Sequence, residues 1–137
     1  MKRDERANRI AGRDRFGPTR RVRAARDFQR VRHGRRVNGR YLSLGYVRRP
    51  QREAPFRAGF TVGKRVGGAV VRNRVKRRLR ESIRHALHAL APGWDVVLTA
   101  KPPAAEASYA ALEGEMRELL TQAGLWNAES EAPVSAD

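Results

Sequence analysis

The stretch Gly63-Lys64-Arg65-Val66-Gly67-Gly68-Ala69-Val70-Val71-Arg72-Asn73-Arg74-Val75-Lys76-Arg77-Arg78-Leu79-Arg80-Glu81 decides how this chain of 137 residues is read. A turn punctuated by Gly63, Gly67 and Gly68 opens into a segment where Val71, Val75, Leu79, Ile83, Ala86, Leu87 and Leu90 recur at spacings of three and four. That period predicts a helix of about five turns with one apolar face. Nine basic side chains lie between Lys64 and Arg84 (Lys64, Arg65, Arg72, Arg74, Lys76, Arg77, Arg78, Arg80 and Arg84), against the single acid Glu81. Like charges at that density repel. A folded chain tolerates them most readily when a polyanion supplies the missing negative charge, and nucleic acid is the commonest polyanion.

Arg72, Asn73 and Arg74 are expected in the first turn of this helix, where unpaired backbone amides and the positive end of the helix dipole reinforce side-chain contacts to phosphate. Asn73 brings a neutral amide that can fix a backbone turn, hold a base edge or hold a hydrated metal ion.

Before this stretch, Val22, Ala25, Phe28 and Val31 predict a short helix from Val22 to Arg32, with Gly34 as a left-handed cap. Phe28 on its apolar face reads by default as core. Arg40 to Val47 alternates Leu42, Leu44 and Tyr46 against Tyr41, Ser43 and Gly45, which predicts a strand. Val37 begins a strand before it, across the hairpin turn signal Asn38-Gly39. Arg48 to Pro55 holds two prolines and reads as a surface loop, and Arg57 to Val62 returns as a strand. These strands are expected to form a small antiparallel sheet.

After the basic helix, Leu90-Ala91-Pro92-Gly93 is a stop, and Trp94 to Ala100 reads as a strand buried on both faces. Ser108 is an N-cap for a final helix marked by Tyr109, Leu112, Met116, Leu119, Leu120 and Ala123 and ended by Gly124. The expected organisation is a flexible basic arm at 1–21, one domain at 22–125, and a disordered acidic tail at 126–137.

The net charge of +16 is uneven. Residues 1–84 carry 28 basic and 6 acidic groups, net +22, and residues 85–137 carry 2 and 8, net −6. The contact surface therefore belongs to the first two thirds. Lysine is scarce, at Lys2, Lys64, Lys76 and Lys101. Arginine's planar fork suits bidentate phosphate contacts, and a compositional bias toward arginine accounts for the excess equally well. No run approaches the roughly 18 apolar residues of a spanning helix, and the start has charge without a signal peptide's apolar segment, so no membrane partner and a cytoplasmic location are expected. The absence of cysteine removes disulfides and thiolate metal sites.

Catalytic motifs fail in turn. His85 and His88 stand three apart without a cysteine or carboxylate pair to complete a metal site, so they read, with His33, as solvated residues. Gly63 and Gly68 have the spacing of a P-loop, yet Ala69-Val70 stand where a lysine and a hydroxyl must reach phosphate and Mg²⁺. Glu113, Glu115 and Glu118 suit a solvated helix face better than acid or base work. The chain alone is expected to catalyse nothing.

The residues from Phe60 to Glu81, centred on Arg72-Asn73-Arg74 after the Gly63-Lys64-Arg65 turn, resemble the signature of the bacterial ribonuclease P protein subunit. Asp27-Phe28-Gln29-Arg30-Val31 with His33-Gly34 is similar to that family's first helix, and Asp95-Val96-Val97-Leu98-Thr99-Ala100-Lys101 with the Tyr109 helix to its end. The resemblance covers roughly Val22 to Leu125. It implies an α+β single domain of order α-β-β-β-α-β-α, with a four-stranded sheet and a left-handed β-α-β crossover through the basic helix. Sequence physics alone predicts a right-handed one. It also implies a non-catalytic protein subunit of a ribonucleoprotein endoribonuclease. In that family the catalytic RNA subunit, using Mg²⁺ bound mainly by the RNA, removes the 5′ leader of precursor tRNA. Lys64, Arg65, Arg72, Asn73, Arg74, Lys76, Arg77 and Arg80 would meet the RNA subunit. Phe28, with Tyr41 or Tyr46, would meet the single-stranded leader in a cleft between the first helix and the sheet, with only one of the two tyrosines on the cleft face. The family's second aromatic, one helical turn after the first, is replaced here in the region of Arg32.

The alternative is another structural RNA binder of ribosomal or assembly type, which shares the electrostatics and differs in motif context. DNA as partner fits less well, because no tight helix-turn-helix precedes the basic helix to aim it into a groove.

Overall fold

The computed structural model describes residues 20–127. The elements are α1 (Ala25–Arg32), β1 (Arg35–Asn38), β2 (Leu42–Arg48), β3 (Arg57–Thr61), α2 (Ala69–Ala86), β4 (Trp94–Ala100) and α3 (Tyr109–Gln122), with short 3₁₀ turns at Leu87–Ala89 and Pro102–Glu106. The order α-β-β-β-α-β-α of an α+β fold is met. The sheet runs β1-β2-β4-β3. β2 is antiparallel to both β1 and β4, whereas β3 lies parallel to β4, with Phe60 opposite Leu98. The expected antiparallel sheet of the first three strands is thus corrected: β4 enters between β2 and β3.

Period two on the strands sorts the two faces. Leu42, Leu44 and Tyr46 of β2 and Val96 and Leu98 of β4 meet Val75, Leu79 and Ile83 of α2 and Leu112, Met116 and Leu120 of α3 in one buried cluster. Each such side chain contributes roughly 1.5–3 kcal/mol by leaving water. The opposite face carries α1. It can settle close because the strands keep glycine beneath it: a Cβ on Gly59 would stand 3.0 Å from the Phe28 ring, and one on Gly45 would stand 3.2 Å from Val31. Burial on both faces explains why β4 reads as a continuous apolar run.

Several boundaries differ from expectation. Val22 is not helical; it is buried in extended chain, its amide donating to Ala58 at 3.1 Å, and Arg21 bridges Ala58. Gly34 keeps a negative φ, and its lack of a side chain instead clears the Tyr46 carbonyl. The β1–β2 turn spans Gly39 to Tyr41, and Asn38 does not adopt the positive φ of a two-residue type I′ turn. The cause is Glu115 of α3, expected to be solvated, whose carboxylate accepts from the amides of Arg40, Tyr41 and Leu42. Trp126, expected in a disordered tail, bridges Leu90 and lies beneath the Arg117 guanidinium. The α3 termini agree with expectation: the Ser108 hydroxyl accepts from the Ala111 amide, and Gly124 takes a φ of 79°. The arm through residue 19 and the tail from residue 128 lie outside the described residues. No described helix is long and apolar enough to cross a membrane.

Candidate nucleic-acid interface

Helix α2 begins at Ala69, with Gly68 as N-cap, so Arg72-Asn73-Arg74 occupies the end of its first turn and the start of its second. The amides left unpaired at the N-terminus belong to Ala69, Val70 and Val71, and exposed Val70 stands over them. Burying Val75, Leu79, Ile83 and Ala86 fixes the helix's rotation and divides its polar residues by angle. Asn73, Arg77, Arg80 and Arg84, spaced by four, three and four, form the ridge opposite the core. Asn73 and Arg77 are exposed. Arg84 is tied to Glu81 at 2.5 Å.

The flanking arginines are partly committed within the protein. The Arg72 Nε donates to the Gly67 carbonyl at 3.1 Å, closing the glycine turn. On the other flank Arg74 donates to the Ala105 carbonyl at 3.0 Å and Arg78 to the Ala107 carbonyl at 2.8 Å, holding the 3₁₀ turn after β4. Lys64 and Arg65 are exposed in the turn leading into α2, and Lys76 is partly buried on the Arg72 side. Arg21 lies near Arg80, and its guanidinium pKa is pushed down by burial, then by Arg80 and Arg23. The cationic surface therefore continues from α2 onto the segment beside β3.

A second feature is a cleft of about 300 Å³ between α1 and the sheet. Phe28, Arg32, Arg36, Gly45, Thr61 and Thr99 line it. The Phe28 ring is partly buried against Gly59 and contributes to the cleft wall, so it packs and is accessible at once. Thr61 and Thr99 are paired across β3 and β4 and form adjacent hydroxyls on the floor. The Arg36 guanidinium is positioned by donating to the Ser43 hydroxyl at 2.9 Å.

A family model described as Ribonuclease P matches residues 16–124. The ribonuclease P protein component of Roseiflexus castenholzii is 44% identical over 116 residues, spanning 82% of this chain and 93% of that protein. The component of Acidothermus cellulolyticus is 45% identical over 102 residues, spanning 73% and 84%. The chain belongs to the ribonuclease P protein family.

Among solved structures, the Staphylococcus aureus RNase P protein superposes with a TM-score of 0.69 at 30% identity, over 79% of this chain and 98% of that one. The Thermotoga maritima RNase P protein gives 0.66 at 22% identity, over 74% and 96%, which bears on the fold alone.

Within this ribonuclease P protein, the residues expected at the leader cleft do not all converge. Phe28 lines it. Tyr46 points to the other face of the sheet, buried in the main core with its ring centroid 5.9 Å from that of Trp94. Tyr41 lies in the β1–β2 turn, packed against that same core under the Arg40 guanidinium. Neither tyrosine lines the cleft, because β2's even residues face α2 and α3, and Tyr41 precedes the strand.

Arg32, Arg36, Thr61 and Thr99 were not singled out from the sequence as lining a cleft. A signal existed for two of them. Val37 and Phe60 pack on the core, so their neighbours Arg36 and Thr61 must face α1. Among the described residues no three histidine, aspartate or glutamate side chains gather into a metal site.

Proposed function

We propose that this chain is the RNA-binding, non-catalytic protein subunit of ribonuclease P, assisting a catalytic RNA that removes the 5′ leader from precursor tRNA. The observation that carries this reading is the ridge of α2 facing away from the core, with exposed Asn73 and Arg77 and half-buried Arg80 set beside exposed Lys64 and Arg65, in a chain of this family. A ridge of that length tracks a phosphate backbone, and each contact releases counterions. Arg72, Arg74 and Lys76 flank the ridge and would reach RNA at its margins.

The cleft would take the single-stranded leader. Phe28 offers a face for stacking, worth about 1–3 kcal/mol per base. Arg32 and Arg36 stand where backbone phosphates would pass. Mg²⁺ would be held mainly by the RNA, since the donors gathered at both surfaces are guanidinium, ammonium, amide and hydroxyl groups that do not replace carboxylates around a hard cation. The protein's part is to bind, to orient the leader and to offset phosphate repulsion.

The test is cleavage of leader-bearing precursor tRNA by the cognate RNA at low Mg²⁺. The rate should rise when the protein is added, and the protein alone should cleave nothing. Equal rates with and without protein would overturn the proposal.

A further inference from the structure

On the flank of α1 away from the leader cleft lies a second cavity, of about 420 Å³, lined by Arg26, Asp27, Arg30, Arg49, Gln51 and Arg57 with Pro50 at its rim. Residues 26 and 30 stand about 200° around the helix from residues 28 and 32, so α1 separates the two openings. The cavity lies near the N-terminal ends of β3 and β4, where Arg57 is opposite Asp95, whereas the cleft lies four residues further along, at Thr61 and Thr99.

Its charges do not balance. Four guanidinium groups, from Arg26, Arg30, Arg49 and Arg57, face two carboxylates, Asp27 and Asp95, leaving +2. The carboxylates are already engaged. Asp95 is wholly buried and takes Arg57 through both oxygens, at 2.8 and 2.7 Å, and Arg30 at 2.6 Å. Asp27 is shared at 3.4 Å by Arg30 and Arg57. Arg49 is left with the longest of these ion pairs, to Asp95. Its Nε is buried, stays 3.8 Å from Asp95, and makes no hydrogen bond among the described residues, while its Nη1 donates to the Pro55 carbonyl. Arg26 is exposed at the cavity edge, and among the described residues its guanidinium forms no hydrogen bond or ion pair. Burial and neighbouring Arg57 both push the Arg49 pKa down, which a bound anion would reverse.

We propose that this cavity is a second RNA contact, in which Arg26 and Arg49 hold one backbone phosphate on the far flank of α1. A phosphodiester fits the cavity in charge and shape: guanidinium forks match its two free oxygens, and each such contact carries a countable salt dependence. The inference rests on the RNA partnership proposed above. With the leader in the cleft and a phosphate here, RNA would grip α1 from both sides.

The chain has no cysteine, so Gln51→Cys creates a unique thiol at the cavity rim for a tethered hydroxyl-radical source. With full-length protein bound to the cognate RNA and precursor tRNA, discrete strand scission is expected. In parallel, Arg26→Gln should lower the slope of log affinity against log salt by roughly 0.7–0.9 without changing the melting temperature. Arg26 is the chosen variant because Arg49 packs into the ion-pair cluster. Arg77→Ala on the α2 ridge serves as control. If Arg77→Ala lowers the slope and Arg26→Gln does not, the phosphate site is overturned and the RNA partnership stands, whether or not scission is seen. If the parent protein shows no salt-dependent binding to the cognate RNA, the RNA partnership itself is overturned.

Discussion

Arg57 grips Asp95 with two parallel hydrogen bonds, Nε to Oδ1 at 2.8 Å and Nη2 to Oδ2 at 2.7 Å, and the carboxylate has no exposure to solvent. The pair joins the first residue of β3 to the second of the parallel strand β4, which are opposite each other in register. The hydrogen bonds to Asp95 raise the pKa of Arg57. Removing one member of a buried pair strands the other, at a cost of about 3–5 kcal/mol. Asp95→Asn is therefore expected to lose stability of that order, measured by urea denaturation.

Glu115 reaches from α3 to the β1–β2 turn, accepting from three successive amides at 2.7–3.0 Å, while the Lys101 ammonium donates to the Gly39 carbonyl at 2.6 Å. Hydrogen bonds to a charged group are worth about 1.5–3 kcal/mol each before water replaces them at this partly exposed site. Glu115→Ala should cost about 2 kcal/mol net and speed amide hydrogen exchange at Arg40, Tyr41 and Leu42. Protection left intact there would show that the carboxylate is dispensable to the turn.

Arginines on α2 should separate into two kinds. Arg77→Ala should reduce the salt slope of RNA binding by up to about one unit and leave the melting temperature in place. Arg78→Ala removes the bond to the Ala107 carbonyl. It should cost about 1 kcal/mol of stability and change the slope less. Matched behaviour of the two variants would contradict the division by helix angle.

Phe28→Ala is expected to lose both packing on Gly59 and a stacking face. Cleavage of long-leader substrates should fall more than that of leaderless ones, alongside a lower melting temperature. Equal loss on both substrates would assign Phe28 to packing alone.

Glu81 is the one acid on the basic helix, and its hydrogen bond with Arg84 holds its carboxyl below the usual range. A lowered carboxylate pKa stabilises the fold above the unfolded-state pKa and loses that effect as pH falls through the folded-state value. The pair is largely solvated, so the contribution is about 0–1 kcal/mol. Glu81→Gln should melt slightly lower at neutral pH, match the parent in acid, and bind RNA more tightly at low salt. Weaker binding would indicate that Glu81 positions Arg84 for contact.

The helices and strands were legible wherever a period was sustained: the apolar stripe of α2, the N-cap at Ser108 and the run at Val96 to Leu98 all fold as their spacing implies. Strand partners were not legible, because paired residues of β3 and β4 lie 38 positions apart, Arg57 opposite Asp95 and Phe60 opposite Leu98, and no local pattern encodes that pairing. The cationic character of α2 was plain from composition. What composition could not divide was the ridge from the flanks, since Arg74 and Arg78 find carbonyls on a distant turn. Phe28 was visible as an aromatic, but its double position depends on Gly59, thirty-one residues away. Glu115 was misread because its helix looked amphipathic in the ordinary way, with no mark of the amides waiting above it.

The place of β4 in the sheet has a consequence for how the chain comes into being. β1 and β2 can pair as soon as they are made, but β3 has no strand neighbour until residues 94–100 have been synthesised, after the whole basic helix. On a ribosome, α2 would emerge before the strand that completes its support, its apolar stripe uncovered and its cations already available. Completion of the sheet waits on one seven-residue strand, and α3 closes the core only after it. A chain released at Gly93 would carry every arginine of the ridge and still lack a joined sheet.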